Sequence, residues 1–229
     1  MQIMASLPSA RVAPTDPPFS HVGVDYFGPL FVKQRRSQVK RYGCLFTCLA
    51  MRAVHTEVSH TLEAESFICA YQRHFCQKQR EAQGDIQRLW HQFHGRRARA
   101  ERSTGASGPN SLRSLDIQWS FNPPEASYQG GIWERMIRSV RTILDALLKE
   151  QLVNDETSST LLYEVERMLN NRPLTSLSDN PNDREPLTPS KRLLLRSNSC
   201  LPPDVFKSHD KCSKRWRQVQ CLADSFWKR

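Results

Sequence analysis

Residues 131–150 contain the feature that most restricts how this chain can fold, an apolar pattern with the period of an α-helix. Its members recur three or four residues apart: Met136, Ile137, Val140, Ile143, Leu144, Leu147 and Leu148. Such a pattern predicts a long helix with one face buried in a core. A short strand, a proline-stiffened turn and the pair Gly130-Gly131 come directly before it, so we expect the helix to begin near Gly131.

Glu134 lies in the first turn of this predicted helix. The N-terminal end of the helix dipole stabilises a carboxylate there, and a rigid element suits a metal ligand. Arg135, Arg138 and Arg141 follow along the polar side of the helix, where they could meet phosphate groups. The alternative is an ordinary acidic first turn on a surface helix. Spacing alone favours that alternative, because acidic first turns are common.

Asp25 is a second candidate carboxylate. Residues 22–27 alternate in the manner of a strand, and Gly28-Pro29 is predicted to end it. A charge on a mostly apolar strand is costly unless something compensates it, and a divalent cation would do so. A structural or edge-strand aspartate is the alternative interpretation.

Four segments resemble one family. Asn122-Pro-Pro-Glu-Ala-Ser-Tyr-Gln-Gly-Gly-Ile-Trp-Glu-Arg135 resembles the closing motif of retroviral-type integrase cores, most similar to the BEL/Pao family of long-terminal-repeat retrotransposons. Gly23-Val-Asp-Tyr-Phe-Gly-Pro29 is similar to the first-acid motif of that family. Residues 40–58 resemble its next two strands, and 185–190 the segment after its core. Tyr128 departs from the pattern, since these elements more often carry His there.

The resemblance implies a fold, an activity and partners. The fold is the ribonuclease-H-like α/β three-layer sandwich, a mixed five-stranded sheet with flanking helices. The activity is DNA strand transfer, in which three acids hold two divalent cations, Mg²⁺ or Mn²⁺, at the attacking and leaving oxygens. Asp25 and Glu134 would be the first and last of these acids. DNA is the expected partner, a homo-oligomer is a further expectation, and the implied location is the nucleus.

The family's second acid lies in a motif of the form Ser-Asp-x-Gly-Thr-Asn-Phe, which this chain does not contain. Residues 78–113 show no sustained period, and Asp85 does not reproduce the motif, so the fourth strand is in question. Read one nucleotide downstream, the codons that can specify Arg88 to Gly95 can encode Asp-Cys-Gly-Thr-Asn-Phe-Met. We therefore hypothesise that residues 76–114 are out of frame. A codon other than CGA at Arg88 would rule this out.

Without the second acid, only the carboxylates of Asp25 and Glu134 would offset the charge of two cations. We therefore expect the chain as it stands to be inactive or nearly so. One hypothesis is an integrase core that is an enzyme by descent. The alternative is a non-catalytic nucleic-acid or protein-binding module that kept the fold. A third is a chain that does not fold, because loss of a central strand leaves neighbouring backbone groups unpaired.

The composition divides the chain into four segments. Residues 1–20 are rich in proline and predict an extended lead-in, not a helix. Residues 21–175 form the predicted catalytic core. Residues 176–206 predict a proline-rich linker in loop conformation. Residues 207–229 resemble the truncated start of a small basic C-terminal domain, although a membrane-surface or partner helix also fits this stretch.

Within the core, the pattern predicts further elements after the first strand. A hairpin is expected over residues 41–58 and a helix over residues 61–77. A later helix is expected over residues 155–171, with Asp155 or Thr157 as its cap.

The charge balance favours an anionic partner. The chain has 33 Lys and Arg against 23 Asp and Glu, a formal net charge of +10. Nucleic acid is the simplest such partner, although general solubility explains the charge equally well. We expect no small-molecule substrate.

The cysteines and the hydropathy indicate the cellular compartment in which the protein is expected. Seven cysteines without a regular framework indicate a reducing compartment, and Cys44 and Cys48 are predicted to be buried in the hairpin. No apolar run of about 18 residues predicts a membrane span, and no signal peptide is recognised, so an intracellular protein is expected. A zinc site has poor spacing among its candidates, which are Cys69, Cys76, His91 and His94.

Overall fold

An antiparallel unit begins the sheet, because the first three strands follow one another through short connections. The computed structural model describes residues 9–12, 16–76, 85–88, 118–121, 131–148, 151–176 and 185–194. β1 spans Val22–Gln34, β2 spans Ser37–Cys48 and β3 spans Val54–Ser59. Each of these strands pairs with the next in antiparallel register. The predicted hairpin is present, and its first strand begins four residues earlier, at Ser37.

Two parallel strands extend the sheet on the other side of β1. β4 (Asp85–Arg88) pairs with β1, and β5 (Gln118–Phe121) pairs with β4, which gives the order β3-β2-β1-β4-β5. A two-residue strand, β6 (Val153–Asn154), pairs with the far end of β1. The described strands therefore form a mixed sheet, as predicted, although six strands take part and not five, since β6 is added. The fourth strand, which the sequence left in question, is present.

Helices cover both faces of the sheet. α2 (Ala64–Cys76) lies on one face, where Phe67 and Tyr71 join an apolar cluster with residues of β1 and β2. α3 (Gly131–Leu148) and α4 (Asp155–Asn170) lie on the other face. Their cluster with the sheet contains Phe27, Leu45, Val54, Ile137, Val140, Leu144, Leu147, Val153, Leu161, Leu162, Val165 and Leu169. The result is a three-layer sandwich, and the apolar face predicted for α3 is the face that is buried.

Strand β1 does not end at Gly28-Pro29, and that prediction was wrong. The register with β2 shifts between Phe27 and Leu30, so a bulge takes the Gly-Pro pair out of the ladder. Pro29 has no N–H to donate, and Gly28 has a φ of 126°, a conformation that favours glycine. The strand continues to Gln34 because a bulge interrupts pairing locally without ending it.

Two short helices lie where extended chain or loop was predicted. α1 (Ser9–Val12) falls within residues 1–20, and α5 (Pro189–Leu194) falls within residues 176–206. At the start of α5 the hydroxyl of Thr188 accepts a hydrogen bond from the backbone N–H of Lys191 at 3.2 Å. Proline is well suited to the first position of a helix, because its missing N–H would have no partner there. The predictions failed since proline was taken only as a helix breaker.

The cap of α4 also differs from the prediction. Asn154 is the N-cap, and its side chain accepts a hydrogen bond from the backbone N–H of Thr157 at 2.8 Å. Asparagine is among the best capping residues. The carboxylate of Asp155 instead accepts a hydrogen bond from Nε of Arg41 at 2.8 Å, which ties the start of α4 to β2.

Helix α4 covers the backbone edge of β3, the outer strand of the described sheet. The side-chain amide of Asn170 accepts from the N–H of Val54 at 2.9 Å and donates to the carbonyl of Val54 at 2.8 Å. The carboxylate of Glu166 accepts from the N–H of Thr56 at 3.0 Å. These side chains form hydrogen bonds with backbone N–H and C=O groups at the edge of β3, which would otherwise be available to pair with another strand.

Several predictions fall on residues without a description. His91 and His94, most of residues 76–114 and all of residues 207–229 lie outside the described residues. In the part of the chain that is described, no helix is long and apolar enough to cross a membrane.

Candidate metal and nucleic-acid site

Asp25 lies on β1 near the centre of the sheet, with 6% of its surface exposed. Alternate strand residues share a face, so Gly23, Asp25 and Phe27 lie together. Phe27 packs with the helices α3 and α4, whereas Val24 and Tyr26 pack with α2. Asp25 therefore faces the α3 side, and its Oδ1 accepts a hydrogen bond from the N–H of Tyr26 at 2.8 Å.

Trp133 brings the first turn of α3 onto β1. Its side chain is fully buried, and a Cβ built on Gly23 would clash with its indole ring. Glycine at this position lets the helix approach the strand closely. Glu134 follows Trp133 in the chain and is half-buried. Because Asp25 is two residues beyond Gly23 on the same face, the fold brings the two predicted acids to one region of the molecule.

Sequence reasoning missed Trp133 as a core residue. Its distance of four residues from Ile137 places it on the apolar face of α3, and this spacing was the available signal.

Strand β4 ends beside Asp25. Its last residue, Arg88, pairs with Val24, and β1 and β4 run parallel, so both chains proceed toward the same edge of the sheet. The out-of-frame hypothesis places its aspartate at the codons of Arg88 and Leu89. The carboxyl end of β4 is therefore the end that lies next to Asp25, where a second acid would have to enter the site.

The described residues contain no group of three or more His, Cys, Asp or Glu side chains that could hold a metal ion. Asp25 and Glu134 are two carboxylates, so this finding does not bear on a site with two protein ligands. Carboxylate oxygens suit Mg²⁺, which keeps several waters and commonly binds through one or two carboxylates. A buried carboxylate on an otherwise apolar strand fits a single cation, and the described residues supply no third acid for a second one.

The three predicted arginines of α3 follow its exposed side. At about 100° per residue, Glu134, Arg138 and Arg141 fall on one flank of the buried face. Arg135 lies nearly opposite the buried face, about 60° from Arg138 and next to Ser139. Among the described residues, none of the three arginines forms an ion pair.

A basic cavity of about 590 Å³ lies on the flank of α3 that carries Ile132, Met136 and Ser139, opposite the flank of Glu134. We call it the arginine pocket; it is lined by Arg11, Arg52, Gly131, Ile132, Arg135, Met136, Ser139, Arg172, Pro173 and Leu174. Arg138 and Arg141 are not among the lining residues that the structure describes. Sequence reasoning missed Arg52 and Arg172, which are 120 residues apart in the chain and lie in segments that predicted only turns.

A second group of charged residues lies where β3 meets α2 and α4. We call it the charged cluster; its members are His55, Glu57, Arg73 and Glu166. Nε2 of His55 lies 3.1 Å from Glu57, and its Nδ1 lies 3.0 Å from Glu166. Nε of Arg73 donates to Glu57 at 2.8 Å. The ring of His74 stacks on that of His55, with centroids 4.0 Å apart.

The members of the charged cluster shift one another's protonation. Burial acts to lower the pKa of His55, but hydrogen bonds and charge from Glu166 and Glu57 outweigh it and raise that pKa. Burial acts to raise the pKa of Glu57, but His55 and Arg73 outweigh it and lower that pKa. The cluster is therefore a charge-balanced network that joins three elements, and periodicity in the sequence gave no sign of it.

No protein-family model matches the chain, and no curated protein matches it. Among solved structures, a chain of the simian T-cell lymphotropic virus intasome, in complex with PP2A regulatory subunit B56 gamma, superposes with a TM-score of 0.50 at 14% identity. That match covers 86% of this chain and 61% of the intasome chain. The two chains share a fold.

A second solved structure is the catalytic core domain of BIV integrase, with a TM-score of 0.49 at 14% identity. The match covers 77% of this chain and 95% of that one. The chain spans about three fifths of the length of the intasome chain that it matches, 61%. The superposition on the intasome chain and the mixed sheet with flanking helices confirm the predicted fold class, and at 14% identity the comparison concerns the fold alone.

Proposed function

We propose that this chain is the catalytic core of an integrase from a BEL/Pao-type retrotransposon, which binds DNA and acts in the nucleus as part of a homo-oligomer. One observation carries the proposal. Trp133 packs on Gly23 and thereby brings the helix turn that holds Glu134 to the strand that holds Asp25. The motifs around these two acids are the ones that resemble the family.

In this proposal, Asp25 and Glu134 hold a divalent cation, Mg²⁺ or Mn²⁺, through their carboxylate oxygens. When bound, such an ion stabilises negative charge on a phosphoryl oxygen. Asp25 is fixed by the sheet and by its hydrogen bond to Tyr26, and Glu134 is fixed by the packing of Trp133. Arg138 and Arg141 share the flank of Glu134, so they would hold the DNA backbone beside the acids.

We propose further that the chain as it stands does not catalyse strand transfer. A two-metal site needs a carboxylate that bridges both ions, and β4 ends in Arg88 where the family has a second acid. A loss of the reading frame upstream of residue 115 accounts for this. A non-catalytic nucleic-acid-binding module is the second candidate, and the arginine pocket favours it because that pocket needs no metal.

Restoring the second acid tests the proposal. Leu89→Asp introduces a carboxylate in the residue that follows Arg88, the last residue of β4 and the partner of Val24. We expect this variant to bind Mn²⁺ at least tenfold more tightly than the parent chain, because a third charged ligand completes the site; a tenfold change corresponds to about 1.4 kcal/mol. Paramagnetic resonance of Mn²⁺ measures the affinity, and strand transfer on labelled DNA ends measures the activity.

Arg88→Asp is the matched control, because successive strand residues point to opposite faces. It should give no such gain. Asp25→Asn and Glu134→Gln should each abolish the gain in the Leu89→Asp background. If Leu89→Asp binds Mn²⁺ no better than Arg88→Asp does, the assignment of the acids is wrong. If the unmodified chain transfers strands, the proposed inactivity is wrong.

A further inference from the structure

The arginine pocket concentrates positive charge from three separate parts of the fold. Arg52 lies in the turn between β2 and β3, Arg135 in the first turns of α3, and Arg172 just after the end of α4. Arg11 lines the pocket as well. No carboxylate is among the described lining residues, so none of these residues balances the charges of Arg52, Arg135 and Arg172.

Arg172 is held in place by backbone groups. Its Nη1 donates to the carbonyl of Leu169 at 2.5 Å, and its Nη2 donates to the carbonyl of Arg52 at 2.5 Å. These two bonds fix the guanidinium without neutralising it. Burial and then the nearby charge of Arg52 lower the pKa of Arg172. The fold thus holds two like charges close together, which raises the energy of the pocket unless an anion is present.

Arg52 and Arg135 complete the same wall. Within the described residues, neither side chain forms a hydrogen bond or an ion pair with a carboxylate. A Cβ built on Gly131 would contact nothing within 4 Å among the described residues, so none of them fills the space beside the start of α3. Helix starts attract anions because their first N–H groups have no partner within the helix. An anion in the pocket would therefore meet arginines and a helix start together.

The guanidinium groups that line the arginine pocket indicate which class of anion it would bind. Guanidinium groups present planar pairs of N–H donors that match phosphate oxygens. Three of them, with a helix start, suit an anion of more than one charge. A volume of about 590 Å³ exceeds that of one phosphate group, so the pocket has room for linked phosphates.

We propose that the arginine pocket binds phosphate groups, and that a nucleic-acid backbone supplies them. The second part rests on the proposed function, which makes DNA the partner. The pocket lies on the opposite flank of α3 from Glu134, Arg138 and Arg141, so it is separate from the metal site. It gives the chain a contact with nucleic acid that needs neither the metal nor the missing acid.

The test compares two double variants that remove the same charge. Arg52→Gln with Arg135→Gln changes the pocket and leaves Arg172 to hold α4. Lys33→Gln with Arg36→Gln is the control, because these exposed residues lie at the other end of the β1–β2 hairpin. Thermal unfolding first confirms that both variants are folded.

Pyrophosphate is the first probe, titrated by calorimetry. We expect saturable binding to the parent chain and to the control, and a loss of at least tenfold in affinity for the pocket variant. Binding that is equal in all three proteins, or absent from the parent chain, overturns the proposal. This arm does not involve DNA, so it remains informative if the proposed function fails.

A short labelled DNA duplex is the second probe, measured over a range of salt concentrations. Each lost phosphate contact lowers the slope of log K against log salt by about 0.9. We expect the slope to fall by about 1 to 2 in the pocket variant and to stay unchanged in the control. An unchanged slope with lost pyrophosphate binding overturns nucleic acid as the source of the phosphate. Failure of the parent chain to bind DNA, with pyrophosphate binding intact, overturns the proposed function and that source together, while the phosphate site stands.

Discussion

The charged cluster includes Glu166, in the last turns of α4, and the arginine pocket includes Arg172, just after that helix ends. The two groups differ in how their charges are balanced. In the charged cluster, two carboxylates alternate with a histidine and an arginine at distances from 2.8 to 3.1 Å. In the arginine pocket, Arg52, Arg135 and Arg172 share one wall with no carboxylate among its described residues. Both groups lie where the β3 side of the sheet meets helices, so the setting is similar and the balance of charge differs.

The difference indicates which group is structural and which is a binding site. Buried charges are tolerated when they are paired and hydrogen-bonded, and the charged cluster meets that condition within the chain. A pocket of like charges meets it only with a ligand. Removing a charge should therefore destabilise the cluster, whereas it should leave the pocket as stable or relieve its repulsion.

The largest expected effect comes from breaking the charged cluster with Glu166→Ala. This change removes the acceptor for the N–H of Thr56 and the partner of His55. We expect the free energy of unfolding to fall by about 2–4 kcal/mol, because a buried donor and a buried cation lose their acceptor. Urea unfolding followed by circular dichroism measures it.

Glu164→Ala is the matched control on the same helix. Its carboxylate is as exposed as that of Glu166 and pairs with Arg167 three residues on, whose side chain is 34% exposed, against 11% for His55. Such pairs contribute about 0.2–1 kcal/mol, so the loss should be much smaller. Equal losses for Glu164→Ala and Glu166→Ala would show that the charged cluster does not stabilise the fold more than the Glu164–Arg167 pair does.

A smaller effect is expected from pH. The pKa of His55 is raised above its ordinary value of 6.5, so its contribution is complete below pH 6.5 and is lost as pH rises through the folded pKa. The pKa of Glu57 is lowered below its ordinary value of 4.5, so its contribution is complete above pH 4.5 and is lost as pH falls through the folded pKa. The cluster should stabilise most between pH 4.5 and 6.5.

The measurement is the free energy of unfolding against pH for the parent chain, His55→Gln and His60→Gln. His60 is exposed and serves as the control. The decline above pH 6.5 should be weaker in His55→Gln and unchanged in His60→Gln. A decline that is the same in all three proteins would exclude His55 as its source.

The smallest effect is expected in the arginine pocket. Arg52→Gln removes a charge that lies close to Arg172 and has no carboxylate partner in the described structure. We expect a change in stability within about 0.5 kcal/mol, in the direction of greater stability, since a repulsion is lost. A loss above 1 kcal/mol on urea unfolding would show that Arg52 supports the fold, and would weaken the contrast with the charged cluster.

Local patterns in the sequence were sufficient for several elements. The helical spacing from Met136 to Leu148 predicted α3 and its buried face, and strand alternation around Asp25 predicted β1. The bulge at Gly28-Pro29 was not predictable, because a Gly-Pro pair has the same local signature whether a strand ends there or continues. Asn154 and Asp155 are adjacent, and both residue types are good helix caps, so the sequence alone could not show which of them caps α4.

The sequence by itself determined which side chains can act. It provides Asp25 and Glu134 in recognisable motifs, and it lacks the acid motif that should follow β4. Tertiary structure alone decided which of these groups meet. Packing of Trp133 on Gly23 placed the helix turn that holds Glu134 against the strand that holds Asp25. Arg52 and Arg172, 120 residues apart in the chain, came together only through the end of α4, because contacts over such separations depend on packing and leave no periodic signal.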